Sequence, residues 1–413
     1  MVPVASRVGL FTLAFLAVSA VPLLAADAAQ RRELLSLNNI TGNDAIDAKT
    51  MLLIKGGEKT RKLLKLAETL AGEKDSPFNY NALYILARAA QELKEADPAE
   101  LFYRAAAKEA LQLQSGEKLV QSLGGLIDLF FENKKYDETV QVCREFLAIE
   151  ENDAVNRLKP AIVERMIQSL TRQKKVDQAM KLVDNLVKTE NEAGGWWFLQ
   201  LKGWVLRETE RFDEAAKTYE SVLERMGKDE NLEKEEKDGL TQGVRYILSN
   251  LYTELDQVDK AVEQLEILLK EKPDDPACNN DLGYLWANHD LNLEDAEKLI
   301  RKALAEDRKL RQADPELAAE DDKDDPGMLD SLGWVLYKQK QYEEARKYLL
   351  QAVSDKDGKE IEILDHLGEV HLALEEKDEA RKVFREAIEA AGPSKRDQQR
   401  KTEIENKLQM LDE

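Results

Sequence analysis

Three histidines, two cysteines and an excess of carboxylates are the residues of this chain with the most obvious chemical potential, and their spacing argues against most of it. His366 and His371 stand five apart, whereas a helix that grips zinc sets its two histidines four apart on one face. His289 lies in a polar turn. The acidic run Asp321-Asp322-Lys323-Asp324-Asp325 has the charge to attract calcium, but it lacks the alternating ligand spacing and the distal glutamate of a calcium loop. It reads as a solvated loop. No glycine-rich phosphate loop follows a strand, and no G-x-S-x-G elbow is present. The residues imply no catalytic constellation, no cofactor and no metal, which leaves a binding surface as the chemistry to look for.

The elements that would carry such a surface are helices. Leu329 to Ala352 reads LDSLGWVLYKQKQYEEARKYLLQA, with apolar or small residues three or four apart on each side of a short polar KQKQ turn. This is a helical hairpin, and one hairpin cannot bury its apolar face alone. The chain supplies copies. Ala345 has counterparts at Ala99, Thr139, Ala179, Ala215, Ala261, Ala296 and Ala380. Four residues after each comes a larger residue: Tyr103, Cys143, Val183, Tyr219, Leu265, Ile300, Leu349 and Phe384. Twelve residues before it lies a small one in Ala87, Gly203, Ser249, Gly333 and Gly368, with Gly283 one residue out of step. Small residues there let two helices approach closely, which offsets the cost of glycine inside a helix, about 1 kcal/mol.

This pattern resembles the tetratricopeptide repeat (TPR), with its W-x2-L-G-x2-Y…A-x3-F…P spacing. LGYLWAN, LGWVLYK and LGEVHLA occupy equivalent places, and Pro273 stands at the closing position of the fifth copy. The resemblance implies an all-α fold, a right-handed α-solenoid of about eight TPR hairpins. The expected organisation is a signal peptide over 1–28, a flexible segment over 29–50, an N-terminal capping helix over 51–79 with a break at Gly56-Gly57, the solenoid over 80–394, and a C-terminal capping helix over 395–413. Neighbour-only contact in a solenoid makes a disulfide between Cys143 and Cys278, four repeats apart, improbable.

In the family, the first helices line a concave face along which ligands lie. Mapped by the small residue, the concave positions implied here are Tyr84 and Arg88 in repeat one and Arg172 in repeat three. Repeat four contributes Trp197, Gln200, Trp204 and Arg207, and repeat five Tyr246 and Asn250. Repeat six contributes Asn280, Tyr284 and Asn288, and repeat seven Asp330, Trp334 and Tyr337. Asp365 and Glu369 fall there in repeat eight. Aromatics are typical interface anchors, and an amide can donate and accept along a peptide backbone. The basic residues with which some TPR proteins clamp acidic chaperone tails are missing: Tyr246, Asp281, Gly327 and Ser331 stand in their places.

The net charge of -21 argues against nucleic acid as a partner. Arg7, the apolar run Val8–Ala26 and the small-x-small Ala26-Asp27-Ala28 read as an export signal, and the absence of a nearby cysteine argues against a lipid anchor. LGYLWANHDLNLEDAEKLIRKAL and the hairpin after it resemble repeats of bacterial envelope TPR proteins. The expectation is therefore an exported, periplasmic, non-enzymatic scaffold or adaptor that binds a protein or peptide in its groove. The competing readings are an accessory subunit that holds a polysaccharide strand, and a structural protein that self-associates.

Overall fold

The computed structural model describes residues 28–73, 76–149, 153–189, 195–315, 317–318 and 321–412. The expected signal peptide lies outside these residues except for Ala28. Among the described residues the chain is all α-helix, with two short 3-10 turns and no strand. It divides into two compact units, one ending at Ala179 and one beginning at Met180, so the boundary falls inside a helix, Val176–Thr189.

The first unit opens with α1 (Ala28–Ser36), a 3-10 turn at Leu37–Asn39, α2 (Asn43–Lys55) and α3 (Glu58–Ala71). Hairpins follow: α4 (Tyr80–Glu92) with α5 (Ala96–Gln112), α6 (Gly116–Glu132) with α7 (Tyr136–Leu147), then α8 (Asp153–Arg172) leading into α9 (Val176–Thr189). Residues 29–50, expected to be flexible, are helical and docked. Leu34 and Leu37 are buried, and Asn38 Nδ2 donates to the Pro77 carbonyl at 2.8 Å while its Oδ1 accepts from the Asn79 N–H at 2.8 Å. Short elements that each bury one or two residues carry too little periodicity to register in sequence. The helix expected from residue 51 begins at Asn43 and stops at Gly56-Gly57, where Gly57 takes φ +48°, and α3 starts anew.

The second unit holds five hairpins: α10 (Trp196–Glu208) with α11 (Phe212–Lys228), α12 (Lys234–Glu254) with α13 (Val258–Glu271), α14 (Pro276–Asn288) with α15 (Leu293–Ala313), α16 (Pro326–Lys338) with α17 (Tyr342–Ser354), and α18 (Ile361–Ala373) with α19 (Lys377–Ala390). The last helix is α20 (Lys395–Asp412), capped by Ser394, whose Oγ accepts from the Asp397 N–H at 3.0 Å. The acidic stretch before α16 is tied down rather than loosely solvated. Asp324 accepts from Arg308 Nε at 2.7 Å and Arg311 Nη2 at 3.1 Å, and the Arg308 guanidinium holds its carboxyl below the usual range.

One device closes every hairpin. Lys94, Lys134, Lys174, Glu210, Asp256, Asp290, Lys340 and Glu375 all have positive φ, and the residue after each donates its N–H to a carbonyl five residues back. Gln341 reaches the Leu336 carbonyl at 2.8 Å, and Glu376 reaches that of His371 at 2.9 Å. This is the Schellman closure, made here without glycine. The second device is the close helix approach. A Cβ on Gly333 would sit 2.5 Å from Leu349 Cγ, and one on Gly368 would sit 2.3 Å from the Phe384 ring. Both thiols are buried within such packing and pushed up to about 12 by burial, which leaves them poor nucleophiles.

Two substitutions read these devices separately. Gly368→Val forces Phe384 out of its seat and should cost about 2 kcal/mol in urea unfolding. Glu375→Gly relieves an exposed left-handed residue and should raise stability by about 0.5 kcal/mol, the surplus of the left-handed penalty over the chain entropy of glycine.

Candidate functional site

The expected site residues fall into two groups, one in each unit. In the first unit α2 lies on α4. Arg88 pairs with Asp47 of α2 and sits 5.7 Å over the Tyr84 ring, which in turn meets Tyr103 edge-on at 6.2 Å. Arg88 is therefore engaged by α2, and Tyr84 by Arg88 and by Tyr103 of α5. Arg172, at the end of α8, is exposed.

In the second unit the first helices of successive hairpins pack side by side, α14 on α16 and α16 on α18, with α20 on α18. Three tyrosines on this face donate to carboxylates of a later first helix. Tyr246 Oη reaches Asp281 Oδ2 at 2.8 Å, Tyr284 reaches Glu362 Oε1 at 2.7 Å and Tyr337 reaches Glu369 Oε2 at 3.4 Å. Burial, reinforced by the facing carboxylates, pushes all three phenols up, Tyr337 to about 12. These tyrosines act first as ties between repeats. Trp334 stacks against Tyr337 at 4.9 Å and against His366 at 3.9 Å between ring centroids. Beneath it, His366 Nδ1 and Asp330 Oδ1, both buried, lie 2.8 Å apart. His371 is buried as well and bonds Glu376 at 2.6 Å.

Between α14, α16 and α18 a pocket of about 320 Å³ is lined by residues that include Asn280, Asp281, Tyr284, Asp330, Ser331 and Glu362. Two polar atoms near it, Asn280 Oδ1 and Trp334 Nε1, are buried without a hydrogen-bond partner among the described residues. Burial also pushes the Asp281 carboxyl up. Further along the face, Trp197 is 44% exposed, Asn250 and Asn288 are exposed, and Gln200, Trp204 and Arg207 are half-buried.

Asp365 and Glu369 stand at expected concave positions of repeat eight, and their pairing with partners on α20 has no local signal in the sequence. Arg396 Nη2 and Arg400 Nη2 of α20 hold Glu362 Oε1 at 2.7 and 2.6 Å. Arg400 Nη1 reaches Asp365 at 3.1 Å, and Lys407 Nζ reaches Asp365 at 2.7 Å and Glu369 at 2.6 Å. The sequence carries only the two complementary stripes, Glu362/Asp365/Glu369 and Arg396/Arg400/Lys407, each at helical spacing. Burial pushes Glu362 up, but the Arg400 and Arg396 charges outweigh it and hold the carboxyl below its ordinary 4.5. Burial pulls Lys407 down, and Asp365 and Glu369 more than reverse it.

The repeat spacing, the closures and the side-by-side first helices invite comparison with known proteins. Residues 248–315 and 331–395 match the tetratricopeptide repeat family. The two matched segments contain α13 to α15 and α17 to α19 whole, with parts of α12 and α16. A TPR repeat-containing protein of Pseudomonas aeruginosa is 31% identical over 109 residues, which is 26% of this chain and 15% of that protein. The chain thus spans a small fraction of that relative's length. Among solved structures, a tetratricopeptide repeat protein from Parabacteroides merdae superposes with a TM-score of 0.49 at 15% identity, over 69% of this chain and all of that one. NprR, solved with its cognate peptide NprX, gives 0.46 at 14% identity over 70% of this chain and 87% of its own.

Glu362 makes the network testable by acid. Its depressed carboxyl stabilises the fold fully above its unfolded value and ceases to do so as pH falls through its lower folded value. Glu362→Gln should therefore cost about 1 kcal/mol in urea unfolding near neutrality. The gap between parent and variant should close toward pH 3.

Proposed function

We propose that this chain is a non-enzymatic scaffold or adaptor that binds a protein or peptide along the first-helix face of its second unit, from Trp197 in α10 to Trp334 and Tyr337 in α16. The observation that carries this reading is the pocket lined by Asn280, whose Oδ1 is buried and unpartnered, with a second buried, unpartnered atom, Trp334 Nε1, on α16, in repeats that match the TPR family. Buried polar atoms are normally satisfied, so a ligand backbone or bound water has a physical reason to sit there. Exposed Trp197 offers an aromatic anchor, and Asn250 and Asn288 offer amides able to donate and accept along an extended chain. We also infer that the protein works in a bacterial envelope. The support is the run Arg7, Val8–Ala26 and Ala26-Asp27-Ala28 at the start of the sequence.

Affinity capture from an envelope extract tests the first part, with the full chain beside Trp197→Ala/Asn250→Ala/Asn288→Ala, substitutions that leave the core untouched. A protein retained by the parent and depleted at least tenfold by the triple variant is the expected result. Identical captures from both would sink the groove reading. For the location, residues 1–30 fused to alkaline phosphatase should give an active reporter outside the cytoplasm, and an inactive cytoplasmic fusion would overturn export.

A further inference from the structure

The last helix is built of two unlike halves. Ile404, Leu408 and Leu411 belong to the core formed with α18 and α19, and Ile404 is fully buried. The first half, KRDQQRKTE from Lys395 to Glu403, has no apolar side chain to bury. Much of what holds it is charge. Arg396 is nearly half exposed and bridges two carboxylates from distant hairpins, Glu362 of α18 at 2.7 Å and Glu254 at the end of α12 at 3.4 Å. The Lys395 N–H reaches Glu210 Oε1, in the closing turn between α10 and α11, at 3.5 Å. The start of α20 therefore crosses from the eighth hairpin to the closing turn of the fourth and the end of α12 in the fifth, passing Glu362, which lines the pocket.

We propose that this half-helix is a built-in occupant of the groove, and that the groove's partner presents a cationic helix which takes the seat of Arg396 and Arg400 on Glu254, Glu362 and Asp365. The inference rests on the reading of this face as protein-binding. Two physical points carry it. The pairs of Arg396, nearly half exposed, are individually weak and screened by salt, and those of the more buried Arg400 need another cation in its place, whereas the apolar half is held without charge, so the first half can exchange while the second stays docked. Glu362, however, faces Tyr284 in a half-buried setting and is held ionised by the arginines. A buried carboxylate stripped of its counter-charge is costly, so the vacated seat calls for another cation. The face exchanges one basic segment for another and does not stand empty.

A fluorescein-labelled peptide copying residues 394–408 serves as the probe, followed by fluorescence anisotropy against the full chain at low salt. Arg396→Ala/Arg400→Ala removes the internal competitor and should bind the probe about tenfold tighter than the parent, the range expected for two lost charge anchors. Adding Glu362→Lys should abolish that gain, while Glu236→Lys, an equal charge change at the exposed start of α12, should keep it. Equal affinity of parent and double variant, or a gain that survives Glu362→Lys, would overturn the proposal. Hydrogen exchange on the unsubstituted chain gives a second reading that depends on no variant folding. Raising salt from about 50 to about 500 mM should speed amides 398–403 severalfold and leave 405–411 unchanged. Uniform exchange across the helix would also overturn it. A chain that loses its captured partner with the Trp197 triple variant, yet shows neither effect, keeps the groove and loses the built-in occupant.

Discussion

The closing turn of each hairpin is the constraint on which the rest depends. A helix that ends in one left-handed residue, with the next N–H returned to a carbonyl five back, reverses direction within three or four residues. The two helices must then run against each other at once, and a small residue opposite a large one lets them approach closely. Gly333 under Leu349 and Gly368 under Phe384 are consequences of that turn as much as causes of the hairpin. Once each hairpin is fixed, its first helix meets the first helix of the next, and the face they share inherits whatever side chains the sequence places there.

That face is held together by polar ties rather than left as a plain trough. Tyr246, Tyr284 and Tyr337 each donate to a carboxylate on a later helix, and Trp334 is stacked between Tyr337 and His366. Residues that look like interface anchors by position spend part of their capacity on neighbours. What is left for a ligand lies between the ties: the pocket beside Asn280, and exposed side chains such as Trp197.

The hairpins were legible because repetition multiplies a weak signal: the spacing Gly333–Ala345–Leu349 recurs with the same arithmetic in other copies. The N-terminal helices were not, because α1 and the turn after it bury little beyond Leu34 and Leu37, too few to make a period. His366 was set aside for having the wrong distance to His371, when its partners were Asp330 and Trp334 on another helix. Arg396, Arg400 and Lys407 fall within the segment expected to be a C-terminal capping helix. Pairing between elements far apart in sequence has no local spacing, so each stripe was visible alone and its match was not.

In an ordinary solenoid each repeat touches its neighbours and nothing else, so stability sums over adjacent pairs and the ends fray repeat by repeat. The bond from Tyr284 to Glu362 steps over a whole hairpin, and that from Arg396 of α20 to Glu254 steps over three. Such rungs break the one-dimensional bookkeeping. Loosening the eighth hairpin removes support from the sixth directly, and loosening α20 removes it from the fifth, so the second unit has reason to melt as a block. Its C-terminal end is then a clasp on the block rather than the loose end of a row.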